Sequence, residues 1–514
     1  MTVRVGHTAE KPAFPILAHE LLQDDQTRRN VRHATNVIRN KRALRVEEMP
    51  DWQDLRTTAH AIKTHTLLHL PHYLEEFERN CIRAGGQVHW ARDADEANTI
   101  AIQLIQQAAA RQSGVKGHAQ PSDRPSSPYP SVPAHAEVIK VKTMTSDEIG
   151  MNHALEQRGI TPWETDLADM IVQMGKDEPS HIVVPALHKN RHQVRELFLQ
   201  NMGLTELGTE AEDLTGAARH YLRKKFLEVG IGISGANFAI AETGSVCVVE
   251  SEGNGRMCVT MPKTLITLIG IEKVIPKFDD LEVFLQLLPR SATGERMNPY
   301  NSIWTGVTHG DGPQEFHVIL LDNGRTRMMA NVRERETLNC IRCGACLNQC
   351  PVYRETGGHA YGSIYSGPIG AILSPQLNGM KYSRSLPYAS SLCGACYEVC
   401  PVKINIPETL IHLRGKIVEQ DQNTLAGKLS QESMGMKMAA HLFEHPKQYE
   451  AAQRLARTGQ GLFEKDGKLV NLPGMAAGWT QYRDLRALPK QSFREWWKRS
   501  RTNRGDGSNW SGND

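Results

Sequence analysis

From Trp52 to Ile82 apolar residues return every three or four positions, which predicts helix, and Gly85-Gly86 ends it. Gln87 to Trp90 reads as a short strand, and Asp93 to Ala110 as a helix capped by Asp93 or Asp95. Between Glu137 and about Pro289 strand and helix patterns alternate. Val138 to Val141, the β-branched run His181 to Pro185, two strands within Ala239 to Val249 around a turn at Glu242-Thr243-Gly244, and Thr264 to Ile269 read as strands. Ser146 to Arg158, His188 to Met202 and Arg219 to Val229 read as helices. Alternation of this kind predicts an α/β sheet domain. A helical tail from about Gly415 ends in a basic, aromatic run, Arg483 to Arg499.

Gln112 to Ala136 breaks this pattern. Pro121, Pro125, Pro128, Pro130 and Pro133 stand among serines and glycines, a composition that buries no core and predicts a flexible excursion. The expected organisation is a helical extension over 1–60, an α/β domain over 61–310 carrying the 112–136 insertion, a cysteine-rich domain over 330–412 and a helical C-terminal domain over 413–514.

The net charge of +3 over 514 residues gives no basic face of the kind nucleic acid demands. No apolar run is long enough to span a bilayer, and the first residues lack the apolar core of a signal peptide, so a cytoplasmic location is expected. Ten cysteines in a reducing compartment suggest metal or redox chemistry rather than disulfides.

Seven of those cysteines form two runs, Cys340-x-x-Cys343-x-x-Cys346-x-x-x-Cys350-Pro351 and Cys393-x-x-Cys396-x-x-x-Cys400-Pro401. Two-residue gaps let one loop wrap three sulfurs around one cluster, and the fourth cysteine of such a run ligates the other cluster in two-cluster ferredoxins. This pattern groups Cys340, Cys343, Cys346 and Cys400 for one cluster, and Cys350, Cys393 and Cys396 for the second. Zinc sites normally use two C-x-x-C pairs, without the third cysteine or the trailing Cys-Pro. Ser390 stands where the second run would have its first cysteine. A serine oxygen, a [3Fe–4S] cluster, an open iron, or one of Cys81, Cys247 and Cys258 folding back would each answer the vacancy.

Gly230 to Gly235 matches G-x-G-x-x-G, but helix precedes it and strand follows, the reverse of a dinucleotide site. Glu252 to Arg256 either binds an anion through backbone N–H groups and Arg256 or simply joins two elements. Glu164, Asp166, His181, His188, Glu242 and Arg256 are the polar residues expected at strand ends and turns; His181, His188, Glu242 and Arg256 are the candidates for substrate chemistry.

On Gly159 to Leu167, Pro179 to His188, Gly232 to Arg256, Leu268 to Pro276, both cysteine runs and Leu488 to Trp497, the chain resembles the lactate-utilisation protein B family. The resemblance covers nearly the whole chain. It implies a LUD domain, similar to the fold of ribose-5-phosphate isomerase and CoA transferases, then an α-helical two-cluster ferredoxin-type domain and a helical tail. It also implies two [4Fe–4S] clusters on the seven cysteines, with a three-cysteine second run usual in the family. The implied role is the electron-transfer subunit of a non-NAD L-lactate dehydrogenase complex. Its partners would be a second cysteine-rich iron–sulfur subunit and a small LUD-only subunit, with L-lactate as substrate. The aromatic tail suits docking to a partner or a membrane surface.

Overall fold

In the computed structural model residues 11–112, 136–483 and 485–503 are described, so all but the ends of the 112–136 insertion lies outside them. The chain divides into two compact units, residues 1–415 and 416–514.

Among the described residues ten strands organise the first unit: β1 (Gln87–Ala91), β2 (Ala136–Lys140), β3 (Ile160–Glu164), β4 (Ile231–Ser234), β5 (Phe238–Ile240), β6 (Ser245–Glu250), β7 (Thr264–Gly270), β8 (Val274–Ile275), β9 (Tyr300–Trp304) and β10 (Glu315–Leu321). Six of them form a parallel sheet in the order β1-β10-β7-β4-β2-β3. The other four form a mixed sheet, β8-β5-β6-β9. Parallel sheets need cover on both faces, and β7 and β10 show it residue by residue. Ile266, Leu268, Ile319 and Leu321 pack with Ala97, Ala101 and Ile105 of the helix Ala94–Gln112. Leu265, Ile269, Phe316, Val318 and Leu320 pack on the opposite face with Leu67, Leu70 and Phe77, and with Leu338, Tyr365 and Leu373 of the cysteine-rich segment. Truncating one of these leucines to alanine removes roughly 2–5 kcal/mol.

Sharing that core makes the cysteine-rich segment part of the first unit, and several expected boundaries move. The α/β domain does not stop at 310, because β10 lies between β1 and β7. The boundary at 60 cuts the helix Trp52–Leu68. The single helix expected over Trp52 to Ile82 is two, Trp52–Leu68 and Leu70–Arg83, the second with Pro71 in its first turn, where the missing N–H costs nothing. Ser146 to Arg158 is likewise two short helices, divided at Gly150 with φ 63°. Asp93 is the cap of the Ala94–Gln112 helix, accepting the Glu96 N–H at 3.0 Å.

The run His181 to Pro185 is not a strand. Its β-branched residues suggested one, but the His181 ring takes the backbone donors: Nδ1 accepts the N–H of Val183 at 3.0 Å and of Val184 at 3.1 Å. Gly230 to Gly235 contains β4 itself, buried in the sheet, and a Cβ on Gly232 would stand 2.5 Å from the Cys258 carbonyl oxygen. Its glycines serve close packing, not phosphate binding.

The second unit holds the helices Gln431–Glu444, Pro446–Gly459 and Phe493–Asn503 and a small antiparallel sheet. Glu495 of the last helix accepts both terminal nitrogens of Arg457. Phe493, Trp496 and Trp497 lie against one another, with ring centroids 5.5–6.2 Å apart, and all three remain substantially exposed.

Candidate functional site

The two cysteine runs fold alike. Each enters through a residue with left-handed backbone, Arg342 (φ 61°) or Leu392 (φ 54°), then its cysteine, then a left-handed glycine, Gly344 or Gly394. Each continues into a five-residue helix, Ala345–Gln349 or Ala395–Val399, that ends on the cysteine before the proline. Such a turn folds the backbone around the sulfurs. N–H groups of Arg342, Tyr353 and Ile404 approach the Sγ of Cys340, Cys350 and Cys400 at 3.4, 3.5 and 3.4 Å.

Cys340, Cys343, Cys346 and Cys400 line one small pocket whose remaining wall is apolar, including Ile182, Ile341, Ile369 and Val402. No carboxylate or imidazole competes with the thiols on that wall. Burial, followed by the neighbouring cysteines, pushes the Cys343 and Cys346 thiols up; burial pushes Cys400 up to about 11. Several buried thiolates need a cationic centre, and the iron of a cluster supplies one. Cys350, Cys393 and Cys396 form the second group: burial raises Cys396 to about 12, and Cys350 and Cys393 push in the same direction. Cys346 also feels Cys396, so the groups adjoin. The residues fit iron–sulfur clusters. Cys81, Cys247 and Cys258 do not fold back. Cys81 packs against Gly86 and Gly244, Cys247 pairs with Phe238 and Ile303 in the mixed sheet, and Cys258 meets the Thr165 hydroxyl at 3.3 Å.

Cations surround the first group. Arg56 donates to the Cys400 carbonyl at 2.9 Å, and Arg42 to the Val399 carbonyl at 3.1 Å. Arg342 reaches Glu272 at 3.4 Å and lies over the Tyr365 ring. Glu272 also pairs with Arg325, which makes two hydrogen bonds to Glu148, at 2.8 and 2.9 Å. Lys63 is held on the Glu272 carbonyl, where burial lowers it to about 8. This network ties the first run to the sheet domain, and its positive charge favours the reduced, more negative state of a cluster.

A cleft of about 820 Å³ opens where β2 and β3 end, the edge at which open α/β sheets take ligands. Glu164 lines it and is buried between Lys140 at 2.6 Å and Asn152 at 2.7 Å. Burial raises the Glu164 carboxyl, with Lys140 opposing. Asp169, beside Lys142 at 3.3 Å, is raised well above the usual carboxylate range by burial. Glu164 Oε2, Asp169 Oδ2 and Asn152 Oδ1 are buried without a protein partner. Asp169, Asn152 and Lys140 escaped sequence reasoning, since only the folded strand ends bring them together.

The other candidates do not gather at this cleft. Asp166 caps the helix Leu167–Met174, accepting from Ala168 and Asp169. Glu242 is exposed and accepts the Phe278 N–H at 2.9 Å. The Glu252 to Arg256 loop is already filled by an internal anion: Glu250 accepts the N–H groups of Glu252, Gly253 and Arg256 at 2.9, 2.6 and 3.3 Å. Arg256 itself is exposed. His181 and His188 face different partners. His181 Nε2 donates to Asn348 Oδ1 at 3.2 Å, between Cys346 and Cys350. His188 lies between Ser180 Oγ at 2.9 Å and Asp177 Oδ2 at 3.0 Å.

A parallel sheet with a polar cleft at its strand ends, sharing its core with a doubled cysteine segment, defines an α/β protein that carries iron–sulfur centres. Family comparison agrees: residues 74–321 match the LUD domain, 336–404 the 4Fe-4S dicluster domain, and 412–502 the lactate utilisation protein B C-terminal region. The chain is 41% identical to lactate utilization protein B of Bacillus licheniformis over 490 residues, 94% of this chain and 96% of that one. It is 39% identical to lactate utilization protein B of Bacillus subtilis (strain 168) over 501 residues, 96% and 97% of the two chains. An uncharacterized electron transport protein of Escherichia coli (strain K12) is 39% identical over 502 residues, 97% and 98% of the two chains. The chain belongs to the lactate utilization protein B family. Among the described residues no helix is long and apolar enough to cross a membrane.

Proposed function

We propose that this chain is the iron–sulfur electron-transfer subunit of an L-lactate-oxidising complex. L-Lactate loses two electrons and two protons to become pyruvate, and the electrons pass singly through two [4Fe–4S] clusters to a downstream acceptor. Cys340, Cys343, Cys346 and Cys400 ligate one cluster; Cys350, Cys393 and Cys396 ligate the other. The observation that carries the reading is the division of seven cysteines into two adjoining groups, in a chain whose relatives are named for lactate utilisation. A second cysteine-rich iron–sulfur protein and a small LUD-only protein are its partners, in the cytoplasm. Anaerobic purification followed by iron and sulfide counting tests the clusters: about eight irons with reduced-state [4Fe–4S] EPR signals support the assignment. Zinc without iron would sink it.

The cleft at the strand ends favours a second reading, in which this subunit binds the substrate itself. Glu164 or Asp169 would then take the hydroxyl proton. Lactate-dependent bleaching of cluster absorbance in the isolated chain supports that reading. Bleaching that needs the partners leaves this subunit as the electron wire.

A further inference from the structure

We infer that Asp177, His188 and His359 form a binding site for one divalent first-row metal ion, separate from the cysteines. One ligand atom from each of the three lies within 4.8 Å of the others. Asp177 and His188 come from the irregular loop before the helix Arg191–Met202, and His359 from the stretch between the cysteine runs. The site therefore assembles only where the sheet domain and the cysteine segment pack together.

The hydrogen bonds around the rings fix which nitrogens are free. The Ser180 hydroxyl donates to the Pro185 carbonyl at 3.0 Å, so it accepts from His188 Nδ1. A neutral His188 then carries its lone pair on Nε2, which faces Asp177 Oδ2 at 3.0 Å. Two acceptors do not meet at that distance without a cation between them. His359 donates Nε2–H to the Glu178 carbonyl at 2.8 Å, which leaves its lone pair on Nδ1. Its ring centroid is 4.7 Å from that of His188. Two imidazoles oriented through their second nitrogens, with one carboxylate, are a donor set that suits iron, manganese or zinc. The cation at His188 is otherwise a proton, shared with Asp177 Oδ2 as an ordinary hydrogen bond.

The surroundings place such an ion usefully. Asp177 also lines the cleft at the strand ends. Its Oδ1 accepts the Glu178 N–H at 2.8 Å, and Lys189 shares Oδ2 and competes with a metal there. Ser180 connects the site to the second cysteine group. Its carbonyl accepts the Tyr353 hydroxyl at 2.7 Å, and the Tyr353 N–H approaches Cys350 Sγ at 3.5 Å.

The test uses the anaerobically purified full chain with its clusters loaded. Mn²⁺ is followed by loss of its free EPR signal, because manganese prefers oxygen and imidazole to thiolate. Zn²⁺ uptake is counted by mass spectrometry, separately from cluster iron. Saturable binding of one ion per chain is expected, weakened at least tenfold in Asp177→Asn and in His359→Gln at unchanged cluster iron. A rise in melting temperature with added metal in the parent chain alone would be the second sign. The inference is overturned if neither ion shows saturable uptake, or if both variants take up metal as the parent does. A proton-only site gives that result.

Discussion

The two cysteine runs share one backbone and differ in what surrounds it. Each position of the first has its counterpart fifty residues on: Cys343 with Cys393, Cys346 with Cys396, Cys350 with Cys400, and Cys340 with Ser390. The mimicry reaches the turn itself. The Leu392 N–H is held by Ser390 Oγ at 3.1 Å just as the Arg342 N–H is held by Cys340 Sγ. Around this shared turn the first run is buried, with Arg342 locked to Glu272 and Asn348 buttressed by His181. In the second run Leu392, Cys393 and Glu398, the counterparts of Arg342, Cys343 and Asn348, are exposed. Local sequence sets the turn, while the packing around it decides which site is closed and which faces outward.

Removing a ligand from each run tests that difference most severely. Cys346→Ala takes a thiol from the buried group and is expected to cost about four of some eight irons per chain together with folded yield. Cys393→Ala is expected to lose iron only from the outer site, with yield retained. Iron, sulfide and soluble yield are the measurements, and equal losses from both variants would break the distinction. Next in size is Arg342→Ala, which withdraws a buried cation from Glu272 and from beside the first cysteine run. Breaking a buried pair costs about 3–5 kcal/mol, read as a fall in melting temperature, and the reduction potential of a cluster held by the first run is expected to become more negative. Leu392→Ala, its exposed counterpart, should move neither by a comparable amount.

His181 gives a pH-dependent form of the same contrast. Burial holds its ring down to about 3 from an ordinary 6.5. The unfolded chain therefore binds the extra proton over that interval and the folded chain does not. The stability that His181 contributes is complete above about pH 6.5 and is lost progressively as pH falls toward 3, by roughly 3–5 kcal/mol in all. Denaturant midpoints measured between pH 7 and 4 should fall steeply for the parent chain and less steeply for His181→Asn. An identical slope in both would show that another group governs acid unfolding.

What could be read before folding follows the same division. Strands buried on both faces, such as Thr264 to Ile269, announce themselves by continuous apolar character, and cysteine spacing prescribes a local turn. His181 to Pro185 misled because side-chain capping of the backbone defeats β-branched propensity. The pairing of Lys140 with Glu164 across adjacent strands, and of Glu272 with Arg342 across the sheet and cysteine segments, has no periodic signature. Neither has the meeting of Asp177 with His359. Each joins distant stretches, and only the tertiary fold brings them within reach.

Ser390→Cys is the mildest change and bears most directly on the asymmetry. Ser390 Oγ already accepts the turn hydrogen bond that a thiol accepts at Cys340, so the substitution keeps the backbone and replaces a poor iron ligand with a good one. If the outer site is one thiolate short, the new cysteine should complete it. Any [3Fe–4S] EPR signal seen after brief oxidation of the parent chain would shrink, and cluster absorbance would bleach more slowly in air. The melting temperature should hardly move, because Ser390 is half-buried and no large group is displaced. An unchanged EPR spectrum and unchanged bleaching would mean that the fourth position is not served from residue 390. The outer iron would then be left for water, a substrate or a partner to reach, and the exposure of Cys393 would be a matter of access.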